Sequence, residues 1–223
     1  MTDRGLHTQA TGSGPGLLLT HGFGDTSATF DAQVPVLSRR FETRVWDLIG
    51  HGGSACPDDP GAFTLETALD DLERVVAGAA EPLVLVGHSL GGYLSLCFAI
   101  RTPERVRALV LLATGPGYRD PDSRAQWNRG ARLAPERFGL PERTAGILEQ
   151  RDSLVIDALD RVSMPALLLV GEKDTRFHAG MRYLERRLPA AELVIVPGGK
   201  HMVHRTHASQ VNAATERFLD DLA

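Results

Sequence analysis

A mostly parallel central sheet with helices on both faces is the α/β fold class this sequence predicts, and three observations predict it. Short, near-continuous apolar runs recur at positions 17–20, 43–48, 83–88, 106–113, 166–171 and 193–196. Stretches with helical spacing separate most of them, and loops containing glycine follow several. Strands that are apolar throughout, rather than alternating, are those buried on both faces, which happens when helical crossovers cover a parallel sheet.

The elements follow in order. Residues before Gly16 are polar and glycine-rich, with at most a short edge strand over Leu6 to Ala10. Leu17-Leu18-Leu19-Thr20 reads as a buried strand that ends in His21-Gly22-Phe23-Gly24, before a helical pattern from about Thr29 to Arg40. Thr43 to Leu48 is the next strand, closed by Gly50-His51-Gly52-Gly53-Ser54 and a Pro/Asp loop. Thr64 opens an amphipathic helix that carries Leu69, Leu72, Val75 and Val76 toward Gly78. Leu83 to His88 is a strand. A helix from Leu90 to about Thr102 follows it, stopped by Pro103, and Val106 to Ala113 is another Val/Leu strand.

From Thr114 to Val162 the rhythm breaks. Four prolines and many charges surround small apolar groups at Trp127, Leu133, Phe138 and Ile147-Leu148. A stretch this long predicts a small, mainly helical insertion of the lid type. Strand and helix then alternate again: strand at Ala166 to Gly171, helix at Ala179 to Leu188, strand at Leu193 to Val196, closing helix at Thr206 to Leu222. The 223 residues, 43% of them hydrophobic, are enough to bury a full core, and the whole chain is expected to form one domain with that insertion.

Composition excludes several function classes. A formal charge of −4 without a basic run argues against a nucleic-acid or anionic-membrane partner. The only cysteines, Cys56 and Cys97, suggest neither a disulfide framework nor a thiolate metal site, which fits a reducing, cytoplasmic setting. No apolar run approaches the roughly 20 residues needed to span a bilayer. The histidines lack the tight spacing of a zinc site, so neither a metal nor another cofactor is expected.

The chemistry concentrates where strands end. In Gly87-His88-Ser89-Leu90-Gly91 a serine sits on a sharp strand-to-helix turn flanked by small residues, a strained position that exposes its hydroxyl. Two later strand ends carry Gly171-Glu172-Lys173-Asp174 and Gly198-Gly199-Lys200-His201. A serine hydroxyl is a weak nucleophile at neutral pH. It needs an imidazole within hydrogen-bond reach, and the imidazole needs a carboxylate to orient it. Ser89, His201 and Asp174 supply these groups, with Glu172, Asp120 and Asp122 as competing acids and His204 and His207 as competing bases. The N–H groups of Phe23 and Leu90 are placed to hold an oxyanion. His21 and His88 are expected to brace their turns. Trp127, Leu133 and Phe138 are candidate pocket residues that serve equally well as the insertion's own core.

The serine turn, the His21-Gly22 loop, residues 47–54, residues 171–174 and residues 198–201 together resemble the α/β-hydrolase fold superfamily, closest to its compact esterases, lactonases and carbon–carbon bond hydrolases. The resemblance covers nearly the whole chain in order. It implies a nucleophile at Ser89, an acid at Asp174, a base at His201 and oxyanion donors at Phe23 and Leu90. The chain departs from that pattern at Lys200, where glycine is usual before the base, in its short N-terminal strands, which predict six or seven strands in all, and in its short insertion. Ser89 disfavours the members that use an aspartate nucleophile. The activity implied is hydrolysis of a small ester, lactone or activated ketone. The alternatives are a lyase, isomerase or cyclisation catalyst on the same fold, or a ligand-binding receptor with a vestigial triad.

Overall fold

The computed structural model describes residues 4–222. Seven strands form one sheet in the order β1-β3-β2-β4-β5-β6-β7: β1 (Thr8–Thr11), β2 (Gly16–Thr20), β3 (Glu42–Trp46), β4 (Leu83–His88), β5 (Val106–Leu112), β6 (Ala166–Gly171) and β7 (Ala191–Val196). Every pairing is parallel except that of the edge strand β1, which runs antiparallel to β3 with Thr8 opposite Trp46. β1 is also the one strand exposed along its whole length, in keeping with its polar sequence.

Successive strand residues point to opposite faces, and the two faces have separate cores. Leu18, Leu85, Leu109, Leu111, Leu168 and Val170 pack on one side with helices α2 (Leu65–Val76), α3 (Leu90–Arg101) and α7 (Thr175–Arg187). Their sequence neighbours Leu17, Leu19, Val84, Val86, Val110, Leu167 and Leu169 pack on the other with Phe30, α1 (Val34–Leu37) and α9 (Ala208–Asp220). This explains why the strands lack a polar alternation: both faces are covered. Among the described residues no helix is long and apolar enough to cross a membrane.

Helix starts follow their capping chemistry. The Thr64 hydroxyl accepts from the Thr67 N–H at 3.1 Å while the Thr67 hydroxyl accepts from the Thr64 N–H at 3.0 Å, a reciprocal box that opens α2. Three helical boundaries differ from those expected. The pattern over 29–40 is a 3-10 turn (Ser27–Phe30) and the four-residue α1, because Pro35 has no N–H to give and clashes with the preceding turn, so the helix restarts around it. Helix α7 begins at Thr175, four residues before the expected start, since its first turn is polar and shows no apolar stripe. The closing helix is split at His207 into α8 (Val203–Thr206) and α9.

Between β5 and β6 the chain forms α4 (Pro121–Arg132), α5 (Ala134–Phe138), a 3-10 turn (Glu142–Leu148) and α6 (Leu154–Asp157). Asp120 caps α4 by accepting from the Ser123 N–H at 2.8 Å. The segment is tied together by the Trp127 indole N–H, which donates to the Leu148 carbonyl, and by reciprocal bonds between Asn128 and the backbone of Gln150.

Candidate active site

Ser89 follows β4 directly and is the N-cap of α3. Its backbone angles, φ 52° and ψ −112°, lie outside the regions L-residues favour. The turn survives because Gly87 and Gly91, two residues to either side, have no side chains. A Cβ on Gly91 would stand 2.0 Å from the Thr20 carbonyl oxygen, and one on Gly87 would stand 2.4 Å from the Gly91 carbonyl oxygen. The Thr20 carbonyl belongs to β2, which is paired on both edges and cannot yield. Gly91→Ala is therefore expected to cost about 3 kcal/mol or more of stability, read as a lower urea midpoint. A midpoint within experimental error of the parent would contradict this packing.

The loops after β6 and β7 are joined backbone to backbone. Lys173 N–H donates to the Gly199 carbonyl at 2.8 Å and Glu172 N–H to the Val196 carbonyl at 2.9 Å. A Cβ on Gly171 would fall 2.4 Å from the Gly199 carbonyl carbon, so only glycine allows this approach. The result brings Asp174 to His201, whose Nδ1 lies 2.8 Å from Asp174 Oδ2. Asp174, 8% exposed, makes no side-chain cap to α7, so its carboxylate is spent on the imidazole. Two competing acids are occupied elsewhere, Glu172 accepting from the Gly198 N–H and Asp120 capping α4, and the third, Asp122, is exposed in the first turn of α4. Among the competing bases, His204 is buried with Nε2 against the Thr29 hydroxyl, and His207 pairs with Thr206.

Phe177 stacks on the His201 ring at 4.7 Å with an 18° interplanar angle, and His88 Nε2 donates to the His201 carbonyl at 3.1 Å. Neither contact was expected from sequence. His88 braces the His201 loop rather than its own turn, whereas His21 does brace its turn, donating from Nδ1 to the Gly22 carbonyl and accepting the Leu48 N–H at Nε2. Burial, reinforced by His51, lowers the pKa of His21 to about 4. Burial also lowers that of His204 to about 4. His88 is depressed well below the ordinary histidine value by burial first, then by His204 and His201. Among the described residues no set of three or more His, Cys, Asp or Glu side chains is arranged to hold a metal ion.

The Phe23 N–H, in the loop after β2, has no acceptor among the described residues, and the Leu90 N–H is one of the orphan donors of the first turn of α3. The Ser89 hydroxyl also makes no hydrogen bond there. A cavity of about 150 Å³ opens beside Ser89 and Leu90, walled by Tyr93, Trp127, Ile147 and Phe177. Of the three residues that could have served either as pocket wall or as the insertion's own core, Trp127 lines the cavity and Leu133 and Phe138 do not. Leu133 is 57% exposed at the junction of α4 and α5, where Ala131 and Pro135 face inward instead. Phe138, 52% exposed, instead lies edge-on to Phe23, with ring centroids 6.0 Å apart. Tyr93, Gln150, Arg176 and Phe177 are among the cavity residues that sequence reasoning missed. Lys200, the residue that departs from the family pattern, is exposed.

The family model described as alpha/beta hydrolase fold matches residues 15–141. A pimeloyl-[acyl-carrier protein] methyl ester esterase of Xanthomonas campestris is 30% identical, the match covering 96% of this chain and 98% of that protein. The human protein named serine hydrolase BPHL is 29% identical over 96% of this chain and 82% of its own. A thermophilic esterase from Thermogutta terrifontis, solved with malate bound, superposes with a TM-score of 0.84 at 26% identity, covering 97% of this chain and 93% of that one. By its sheet order, its strand-end loops and these matches, the chain belongs to the α/β hydrolase fold family.

Proposed function

We propose that this protein hydrolyses a small ester, lactone or activated ketone through an acyl-enzyme formed on Ser89. The observation that carries the reading is the strained Ser89 turn, which presents the hydroxyl to a cavity and has no structural use of its own. With Nδ1 of His201 engaged by Asp174, Nε2 is the ring nitrogen left to take a proton. His201 would accept the Ser89 proton as Oγ attacks the substrate carbonyl, and Asp174 would stabilise the resulting imidazolium. The Phe23 and Leu90 N–H groups would hold the oxyanion, each worth about 3 kcal/mol in the transition state. Collapse breaks the bond to the leaving group, which takes the proton from His201. A water deprotonated by the same histidine then attacks the acyl carbon and frees Ser89.

The esterase names of relatives that cover most of both chains support this class of chemistry. The test is a fluorophosphonate probe with peptide mapping, run beside turnover of a panel of short esters, lactones and β-diketones. Labelling at Ser89 with ester or lactone turnover is the expected result. Folded protein that neither labels nor turns over any of the panel would overturn the reading in favour of a binding role. Labelling accompanied only by non-hydrolytic conversion would assign a lyase or isomerase instead.

A further inference from the structure

We propose that Arg176 and Gln150 form a carboxylate subsite in the cavity beside Ser89, so that the ester cleaved is a half-ester of a dicarboxylic acid. This rests on the hydrolase reading for its chemistry and on the cavity alone for its binding. Arg176 is the only charged residue among those that line the cavity, and no carboxylate lines it. The guanidinium has no ion pair or hydrogen bond among the described residues. It lies 5.2 Å from the Trp127 ring centroid and 5.8 Å from that of Phe177. Trp127 is itself fixed by its bond to the Leu148 carbonyl. An arginine held near aromatic rings without a hydrogen-bond partner keeps its N–H fork free for a bidentate partner.

Gln150 is the independent observation. It is 8% exposed, and its backbone is held by Asn128, with the Gln150 N–H donating to Asn128 Oδ1 at 2.9 Å and Asn128 Nδ2 donating to the Gln150 carbonyl at 3.0 Å. Its side-chain amide has no hydrogen-bond partner among the described residues, and Oε1 is sealed from solvent. The amide N–H₂ also has no acceptor among the described residues, and it is the end of the side chain that can donate to an anion in the cavity. The Tyr93 hydroxyl on the same wall is also unpartnered among the described residues. A guanidinium, an amide N–H₂ and a phenol that line one cavity without an acceptor fit an oxygen-rich anion, and one planar fork fits a carboxylate.

Hydrolysis of monomethyl succinate, glutarate and adipate, compared with methyl esters of neutral acids of equal length, tests this in the intact chain. The half-esters are expected to show at least about tenfold higher kcat/KM. Arg176→Met is expected to reduce that preference by about tenfold to a hundredfold, through KM, with Arg176→Lys restoring part of it. Gln150→Met should reduce it by about threefold to tenfold. No preference in the parent, or an equal fall for both ester types, would overturn the subsite. Calorimetric binding of glutarate and adipate reads the same site without turnover. Dicarboxylate binding that Arg176→Met abolishes, in a protein that cleaves no ester, would retain the subsite and remove the hydrolase reading. Ester cleavage without dicarboxylate binding would do the reverse.

Discussion

Replacing Ser89 by alanine is expected to lower kcat by about 100,000-fold while leaving the urea midpoint unchanged. The size of the loss follows from the proposed role: without Oγ no acyl-enzyme could form, and the residual rate would come only from binding and the oxyanion donors. The unchanged stability follows from the structure, since the Ser89 hydroxyl bonds to nothing among the described residues and alanine meets the same backbone strain. Glycine separates the two effects. At φ 52° and ψ −112° it relieves strain that serine and alanine both carry, so Ser89→Gly should be equally inactive yet more stable by about 1 kcal/mol. Retained turnover in Ser89→Ala would remove the serine from the chemistry. A Ser89→Gly variant less stable than Ser89→Ala would show that the turn is not strained.

The second large effect is on stability in acid. His21 and His204 are buried neutral, with pKa values of about 4 against an ordinary value near 6.5. Their folded pKa values lie below the unfolded ones, so protons bind the unfolded chain more tightly. Above about pH 6.5 both states are neutral at these positions and stability is complete. As the pH falls from about 6.5 to about 4 the unfolded chain takes up protons first, and stability drops by about 1.4 kcal/mol per pH unit for each histidine. His88, shifted in the same direction, adds to the loss. The carboxylate of Asp47 acts in a lower window. Burial works against its charge, but N–H donors from Ser27 and Gly53 hold its pKa below the usual aspartate value, so its contribution disappears only as the pH passes below that value. Urea midpoints at half-unit steps from pH 7.5 to 4 should therefore fall steadily from just below neutrality. A midpoint flat to pH 4.5 would contradict the buried-neutral state of these histidines.

What sequence alone could show divides along physical lines. Strand positions and the Ser89 turn are local facts, written in apolar runs and in glycines, and they emerged within a few residues of where the structure has them. The chain order of Ser89, Asp174 and His201 was legible for the same reason, since each follows its strand. Helix boundaries were less so: Pro35 broke one helix, and the polar first turn of α7 hid the start of another. The cavity was least legible. Tyr93 comes from α3, Trp127 from α4, Gln150 from the loop after a 3-10 turn and Arg176 from α7, and nothing local says that these four converge. Leu133 and Phe138 looked like pocket residues because apolarity is visible in sequence while the direction of a side chain is not. The eight arginines balanced by eight acidic residues over 114–162 said nothing of substrate charge, and the residue that bears on it lies outside that stretch.

One feature of α7 limits how this protein can diversify. Within four consecutive positions at its start stand Asp174 against the His201 imidazole, Arg176 in the cavity wall and Phe177 stacked on the same imidazole. A selection for new substrates that rebuilt this turn would disturb the histidine along with the guanidinium. Variants that keep the rate while changing preference should therefore arise on the insertion side, at Trp127 and Gln150, and laboratory evolution libraries are best spent there.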